Sequence, residues 1–238
     1  MRLGRRIKER PIVLVSEAPF QVEEAYNSLR TNIQFLSADK KIKKLIITSS
    51  GPIEGKTTVS VNLAISMAKA GQKVLLVDSD LRKPRVNKLF RVKASPGLTN
   101  ILIEGIALEK AIIRDSNHGV DVVTSGPVPP NPSELLGSVR MKELLESVTD
   151  KYDYIILDTP PAAFMTDAAV LSQYVDGVIL VVAHKRSTYE MVDGTVRSLK
   201  TAGANIVGTV LTDVEMNKMG HRYNYYYKYR YHKYYENK

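Results

Sequence analysis

The chain has no cysteine. It can therefore form neither a disulfide nor a thiolate-held metal site, which fits a reducing compartment. It also lacks long apolar runs. Nothing approaches the ~18 consecutive apolar residues of a membrane-spanning helix. The opening Met-Arg-Leu-Gly-Arg-Arg-Ile-Lys-Glu-Arg has no apolar segment of the secretory kind, so a cytoplasmic protein is expected. Excess charge is missing from the middle of the chain. The formal net charge is +9, but residues 1–10 hold five basic and one acidic side chain, and residues 214–238 hold six and two. A basic groove built into the fold is thus not expected, and neither is a nucleic-acid partner. The ends read instead as sticky arms near an anionic surface or partner, or as solubilising termini. What remains, 238 residues with 44% apolar and 25% charged content, is enough for one large domain with a full core. We expect a basic arm (1–18), a folded domain (19–213) and a tail (214–238).

The domain is organised around Lys44 to Thr58. Leu45, Ile46 and Ile47 form an apolar run of strand length, Gly51 and Gly55 free the backbone to curl, and Lys56-Thr57 opens a helical pattern. This is a phosphate loop, with Ser50 where the full pattern has its first glycine. Its backbone N–H groups and the helix N-terminus attract an anion, Lys56 adds a full positive charge, and the Thr57 hydroxyl suits a magnesium ion. The nucleotide cradle is therefore assigned to Gly51, Pro52, Ile53, Glu54, Gly55, Lys56, Thr57 and Thr58.

Along the chain, a short strand is expected at Ile12 to Val15 and a helix from Pro19 to about Leu36. A helix from Lys56 to Ala70 closes at Gly71, and a strand follows at Lys73 to Val77. Short helices are expected at Leu98–Ile103 and Leu108–Ile113, then a strand at Val120–Val123. After a proline-dense loop at 126–132 comes a helix from Ser133 to Thr149. A strand at Tyr154–Leu157, a helix at Asp167–Gln173, and strands at Gly177–Ala183 and Ile206–Leu211 flanking a helix at Thr188–Ala202 complete the pattern. The alternation predicts an α/β fold, a mostly parallel sheet flanked by helices, of the P-loop NTPase type.

Two strands end in acid. Val74-Leu-Leu-Val runs into Asp78-Ser-Asp80, and Tyr154-Ile-Ile-Leu runs into Asp158. At the carboxyl edge of a parallel sheet these groups would stand beside the phosphate loop. A pair of acids there offers one group for a metal and one for a nucleophile's proton. We assign Asp78 as base, with Asp80 and Asp158 joining Thr57 around magnesium; Lys56 completes the catalytic set. The spacing alone leaves the roles within the Asp78/Asp80 pair interchangeable.

The last 16 residues carry eight of the 13 tyrosines: Tyr223, Tyr225, Tyr226, Tyr227, Tyr229, Tyr231, Tyr234 and Tyr235. With almost no aliphatic company, such a segment has little with which to build a core, and exposed phenols are expected. Taken together, these motifs resemble the bacterial protein-tyrosine kinases (BY-kinases) that accompany capsule and exopolysaccharide synthesis. The resemblance rests on the Gly-Lys-Thr loop, Val-Leu-Leu-Val-Asp-Ser-Asp-Leu-Arg-Lys-Pro-Arg, Ser-Gly-Pro-Val-Pro-Pro-Asn-Pro-Ser-Glu-Leu-Leu-Gly-Ser, Asp158-Thr-Pro-Pro and the tyrosine cluster. It implies ATP and magnesium use, autophosphorylation in trans on the tail tyrosines, and further protein substrates. It also implies a ring-like homo-oligomer, a protein-tyrosine phosphatase that reverses the reaction, and a transmembrane adaptor that activates the kinase and holds it at the membrane.

Two positions depart from the family pattern. The oligomerisation helix reads Glu24-Ala-Tyr-Asn27-Ser-Leu-Arg30, with Asn27 where an arginine is usual, and Thr212-Asp213 follows the last strand where related ATPases carry an asparagine near the adenine. Two other readings remain. A deviant phosphate-loop positioning ATPase would carry a leading lysine where Gly51 stands, and a scaffold would hold nucleotide as a structural cofactor and grip an anionic polymer with its tail.

Overall fold

The computed structural model describes residues 18–39, 42–115 and 117–214. The expected strand at Ile12–Val15, the N-terminal arm through residue 17 and the tail from residue 215 onward, with its tyrosines, lie outside the described residues. Seven strands form one sheet: β1 (Lys44–Ser49), β2 (Val74–Asp78), β3 (Ile112–Asp115), β4 (Val120–Val123), β5 (Tyr154–Asp158), β6 (Gly177–Ala183) and β7 (Ile206–Thr212). Their spatial order is β3-β4-β2-β5-β1-β6-β7. All pairs are parallel except β3 with β4. The carboxyl ends of β2, β5 and β1 consequently stand side by side on one edge.

Nine helices surround the sheet among the described residues: α1 (Phe20–Asp39), α2 (Lys56–Lys69), α3 (Val86–Phe90), α4 (Leu98–Glu104), α5 (Leu108–Ala111), α6 (Pro132–Leu136), α7 (Val139–Thr149), α8 (Asp167–Leu171) and α9 (Tyr189–Thr201). Alternate residues of the central strands feed two separate cores, as a sheet covered on both faces requires. Leu45 and Ile47 join α1 and α2 on one side. Ile46 joins the side that holds Leu98 of α4, Leu145 of α7, Leu171 of α8 and Leu199 of α9. Helix α2 is buried over most of its length, which explains its nearly all-round small and apolar sequence. Gly71, at φ 84, follows its C-cap Ala70.

Two expected elements need correction. The helix predicted at Leu108–Ile113 stops at Ala111, because Ile112–Asp115 pairs antiparallel with β4 as an edge strand. The helix predicted at Ser133–Thr149 is two, α6 and α7, separated at Gly137-Ser138. There the Tyr174 hydroxyl donates to Gly137 O at 2.9 Å, and Ser138 caps α7 by accepting from the Met141 N–H.

Helix α1 uses its Glu24-Asn27-Arg30 row internally. Asn27 donates to Glu24 at 3.0 Å, and Arg30 donates to Asn27 at 3.1 Å and to Ser66 O of α2 at 2.8 Å. Arg30 therefore ties α1 onto α2, while Phe35 and Leu36 stay exposed.

Candidate active site

The phosphate loop leaves β1 at Ser49 and returns as α2 at Lys56. Ser50, in the position of the missing glycine, is fully buried and donates its hydroxyl to both carboxylate oxygens of Glu54, at 3.0 Å each. Its side chain is thus a crosslink inside the loop. Gly51 is closely approached: a Cβ there would meet Glu54 Oε1 at 3.0 Å and Met191 Sδ at 3.3 Å, so the leading lysine of the positioning ATPases would require both side chains to give way. Gly55 sits at φ 92 at the N-cap of α2, a conformation that favours glycine. Pro52 and Ile53 are exposed at the apex, Glu54 turns inward, and Thr58 is half-buried on the first turn of α2.

Two acids and a hydroxyl meet Lys56. Its Nζ lies 2.8 Å from Asp80 Oδ2, 3.9 Å from Asp158 Oδ2 and 3.4 Å from Thr57 Oγ1. Asp78 and Asp158 are register partners across the β2–β5 pair. Asp158 is fully buried; its Oδ1 accepts from Ser60 at 3.0 Å, whereas its Oδ2 has no hydrogen-bond partner. Asp78 is also fully buried and is held by backbone. Its Oδ1 accepts from the Asp80 N–H at 3.3 Å, and its Oδ2 accepts from Arg85 at 3.2 Å and Val86 at 3.0 Å.

Burial, with the Asp158 charge next in weight, pushes the Asp78 carboxyl up to about 8. Burial also raises Asp158, against the opposing pull of Lys56. For Lys56 burial works downward, yet Asp158 and Asp80 outweigh it and the ammonium is held above its ordinary value. Burial therefore favours the protonated forms of Asp78 and Asp158 while the acids keep Lys56 charged.

Residues 46–205 match the AAA domain family. The chain is 38% identical over 218 residues to the tyrosine-protein kinase YwqD of Bacillus subtilis, covering 92% of each chain. It is 33% identical to the putative tyrosine-protein kinase CapB of Staphylococcus aureus, covering 91% of this chain and 95% of that one. This chain belongs to the bacterial tyrosine-protein kinases. The fold of the kinase domain of the Escherichia coli tyrosine kinase ETK superposes with a TM-score of 0.84 at 38% identity, covering 92% of this chain and 87% of that one. Against the full-length tyrosine-protein kinase etk of E. coli strain K12, 40% identical over 209 residues, this chain spans 29% of the length.

In this kinase fold the predicted loop residues and Asp78, Asp80 and Asp158 lie at one sheet edge, and the described structure adds others that spacing did not reveal. Ser187, in the turn before α9, donates to Glu54 Oε1 at 2.5 Å, and Thr212 at the end of β7 donates to Glu54 O at 2.6 Å. Thr212 thus braces the loop, and its neighbour Asp213 meets Arg186 at 3.6 Å.

Just past Asp80, Arg82 makes a half-buried clamp. Its Nε lies 3.3 Å from the fully buried Asp167, and its Nη2 donates to Ser133 at 2.9 Å. Ser133 in turn donates to Asp167 at 3.2 Å. The clamp fixes the Asp-x-Asp turn to α6 and α8.

The kinase site suits ATP with magnesium. The buried Oδ2 of Asp158, which accepts no hydrogen bond, Asp80 and the nearby Thr57 hydroxyl form an oxygen donor set of the kind a hard cation takes. No described helix is long and apolar enough to cross a membrane.

Proposed function

We propose that the chain is a magnesium- and ATP-dependent autokinase that transfers the γ-phosphoryl group to tail tyrosines of a second copy and to other proteins. One observation carries this reading: Lys56 is drawn between Asp80 and Asp158 at the shared carboxyl edge of β1, β2 and β5. In-line phosphoryl transfer needs little covalent chemistry from the protein, so positioned charge does most of it. The loop's N–H groups and Lys56 bind and orient the triphosphate. Thr57, Asp80 and Asp158 would hold magnesium, which neutralises phosphate charge when bound. Asp78, a stronger base once ionised because burial raises its proton affinity, takes the phenol proton. The tyrosine oxygen bonds to the γ-phosphorus, the bond to the bridging oxygen breaks, and ADP leaves. Because Asp78 is sealed by the Asp80, Arg85 and Val86 N–H groups, the Arg82–Arg85 turn opens when the acceptor arrives.

A transmembrane adaptor, reversal by a protein-tyrosine phosphatase and a role in capsule or exopolysaccharide production fit the company of this chain, since one relative is named for a cps region. With the adaptor the kinase is held at the cytoplasmic side of the membrane. A ring-like oligomer is part of this proposal, with fewer charged contacts from α1 because Asn27 and Arg30 are engaged internally. The experiment is incubation of the full chain with γ-labelled Mg-ATP and the adaptor's cytoplasmic segment. Phosphotyrosine within residues 223–235 supports the reading. Rapid phosphate release without it favours a positioning ATPase, and neither activity favours a scaffold.

A further inference from the structure

Five of the 13 tyrosines lie among the described residues. Four are committed to the fold. The Tyr152 hydroxyl donates to Asp121 at 2.7 Å, Tyr174 donates to Gly137 O, Tyr154 is buried, and Tyr26 packs against the core beside α2. Tyr189 differs: it is 85% exposed.

Its place is as telling as its exposure. Tyr189 is the first residue of the 13-residue helix α9, after the N-cap Thr188. Two residues earlier, Ser187 touches Glu54 of the phosphate loop. The phenol therefore stands at the rim of the nucleotide site, on the β6 side of β1, while Asp78 and Asp158 occupy the β2 and β5 side. The two flanks are separated by the loop itself, so a chain's own acids do not face its own Tyr189. A second copy's can.

We propose that Tyr189 is a phosphoacceptor of this kinase, modified in trans by another copy, distinct from the C-terminal cluster. The inference rests on the tyrosine-kinase reading above. The step is the same balanced transfer: the Tyr189 oxygen bonds to the γ-phosphorus of ATP in the second copy, ADP departs, and the phenol proton passes to that copy's base. The product is well placed. A phosphate near the start of a helix is favoured by the helix dipole. Arg186, three residues before, is half-exposed and only loosely paired to Asp213 at 3.6 Å, so a phosphate can recruit it; Glu190 alongside opposes this weakly. Drawing Arg186 away would also release its bond to Ile53 O, 3.1 Å at the loop apex, which couples the modification to nucleotide binding.

The test uses full-length chain with Mg-ATP and the adaptor segment, read by peptide mass spectrometry. Wild type should show phosphate in the tail and on Tyr189. A variant with all eight tail tyrosines changed to Phe should keep phosphate on Tyr189, and adding Tyr189→Phe should lower its residual label at least tenfold. Mixing the active tail variant with a tail variant that also carries Lys56→Met should place phosphate on Tyr189 of the Lys56→Met chain. A labelled tail with a bare Tyr189 in every sample overturns this inference while leaving the kinase reading intact. Absence of label anywhere overturns both.

Discussion

Arg82→Met should destabilise the chain more than its partly exposed position implies. Arg82 has a side chain 33% exposed, but its partner Asp167 is fully buried. Removing the guanidinium leaves the carboxylate with one remaining donor, the Ser133 hydroxyl at 3.2 Å. Orphaning one member of a buried pair costs about 3–5 kcal/mol, and the lower end applies because Ser133 stays and solvent reaches Arg82. For a domain of this size about 3 kcal/mol corresponds to a fall of roughly 6–12 °C in the unfolding midpoint. Neutralising the stranded acid should restore part of the loss, so Arg82→Met/Asp167→Asn should melt above Arg82→Met alone. Thermal unfolding of wild type, both single variants and the double variant checks this. A loss under about 1 kcal/mol for Arg82→Met, or strictly additive effects in the double variant, would refute the clamp as a buried ion pair.

Asp78→Asn should alter the pH dependence of stability. The folded chain holds the Asp78 proton up to about pH 8, whereas the unfolded chain releases it near 3.8. The contribution of this group is therefore full below about pH 4 and declines as pH rises through that window, by at most ~1.4 kcal/mol per unit. Asparagine has no proton to lose, so the variant should gain on wild type between pH 4 and 8 in urea titrations; parallel curves would contradict the assignment. Glu54→Ala leaves the buried Ser50 hydroxyl and the half-buried Ser187 hydroxyl without their acceptor, at about 1–3 kcal/mol for Ser50 and less for Ser187. The slackened loop should raise the KM for ATP by an order of magnitude, roughly, in steady-state assays, and an unchanged KM would show that the loop does not depend on Glu54.

The site was legible where it is local in sequence. An apolar run ending in Asp78 or Asp158 announces a buried strand and the acid at its carboxyl end, and Gly55-Lys56-Thr57 announces the helix that follows the loop. Contacts between distant segments left no trace in spacing. Arg82 and Asp167 are 85 residues apart, and Ser187 and Thr212 reach Glu54 across 133 and 158; each looks like an ordinary polar residue until the sheet brings the strand ends together. Ser50 shows the same limit in reverse: a mismatch to the loop pattern becomes a fit once Glu54 is seen beneath it. Edge strand β3 was hidden because Ile112 and Ile113 continue the apolar rhythm of α5, and pairing with β4, not local propensity, makes them extended. The break between α6 and α7 was carried by Gly137-Ser138, a helix stop and cap that the apolar pattern on either side overrode.

The central claim is that Asp158 serves the transfer step from its place beside the phosphate loop. Asp158→Asn keeps the side chain's shape and its bond from Ser60, so nucleotide binding should survive within a few-fold. The decisive measurement is γ-phosphoryl transfer to the tail tyrosines at saturating Mg-ATP. A loss of at least about 100-fold is expected, the scale for removing one preorganised charge. Phosphotyrosine formation at the wild-type rate would contradict it.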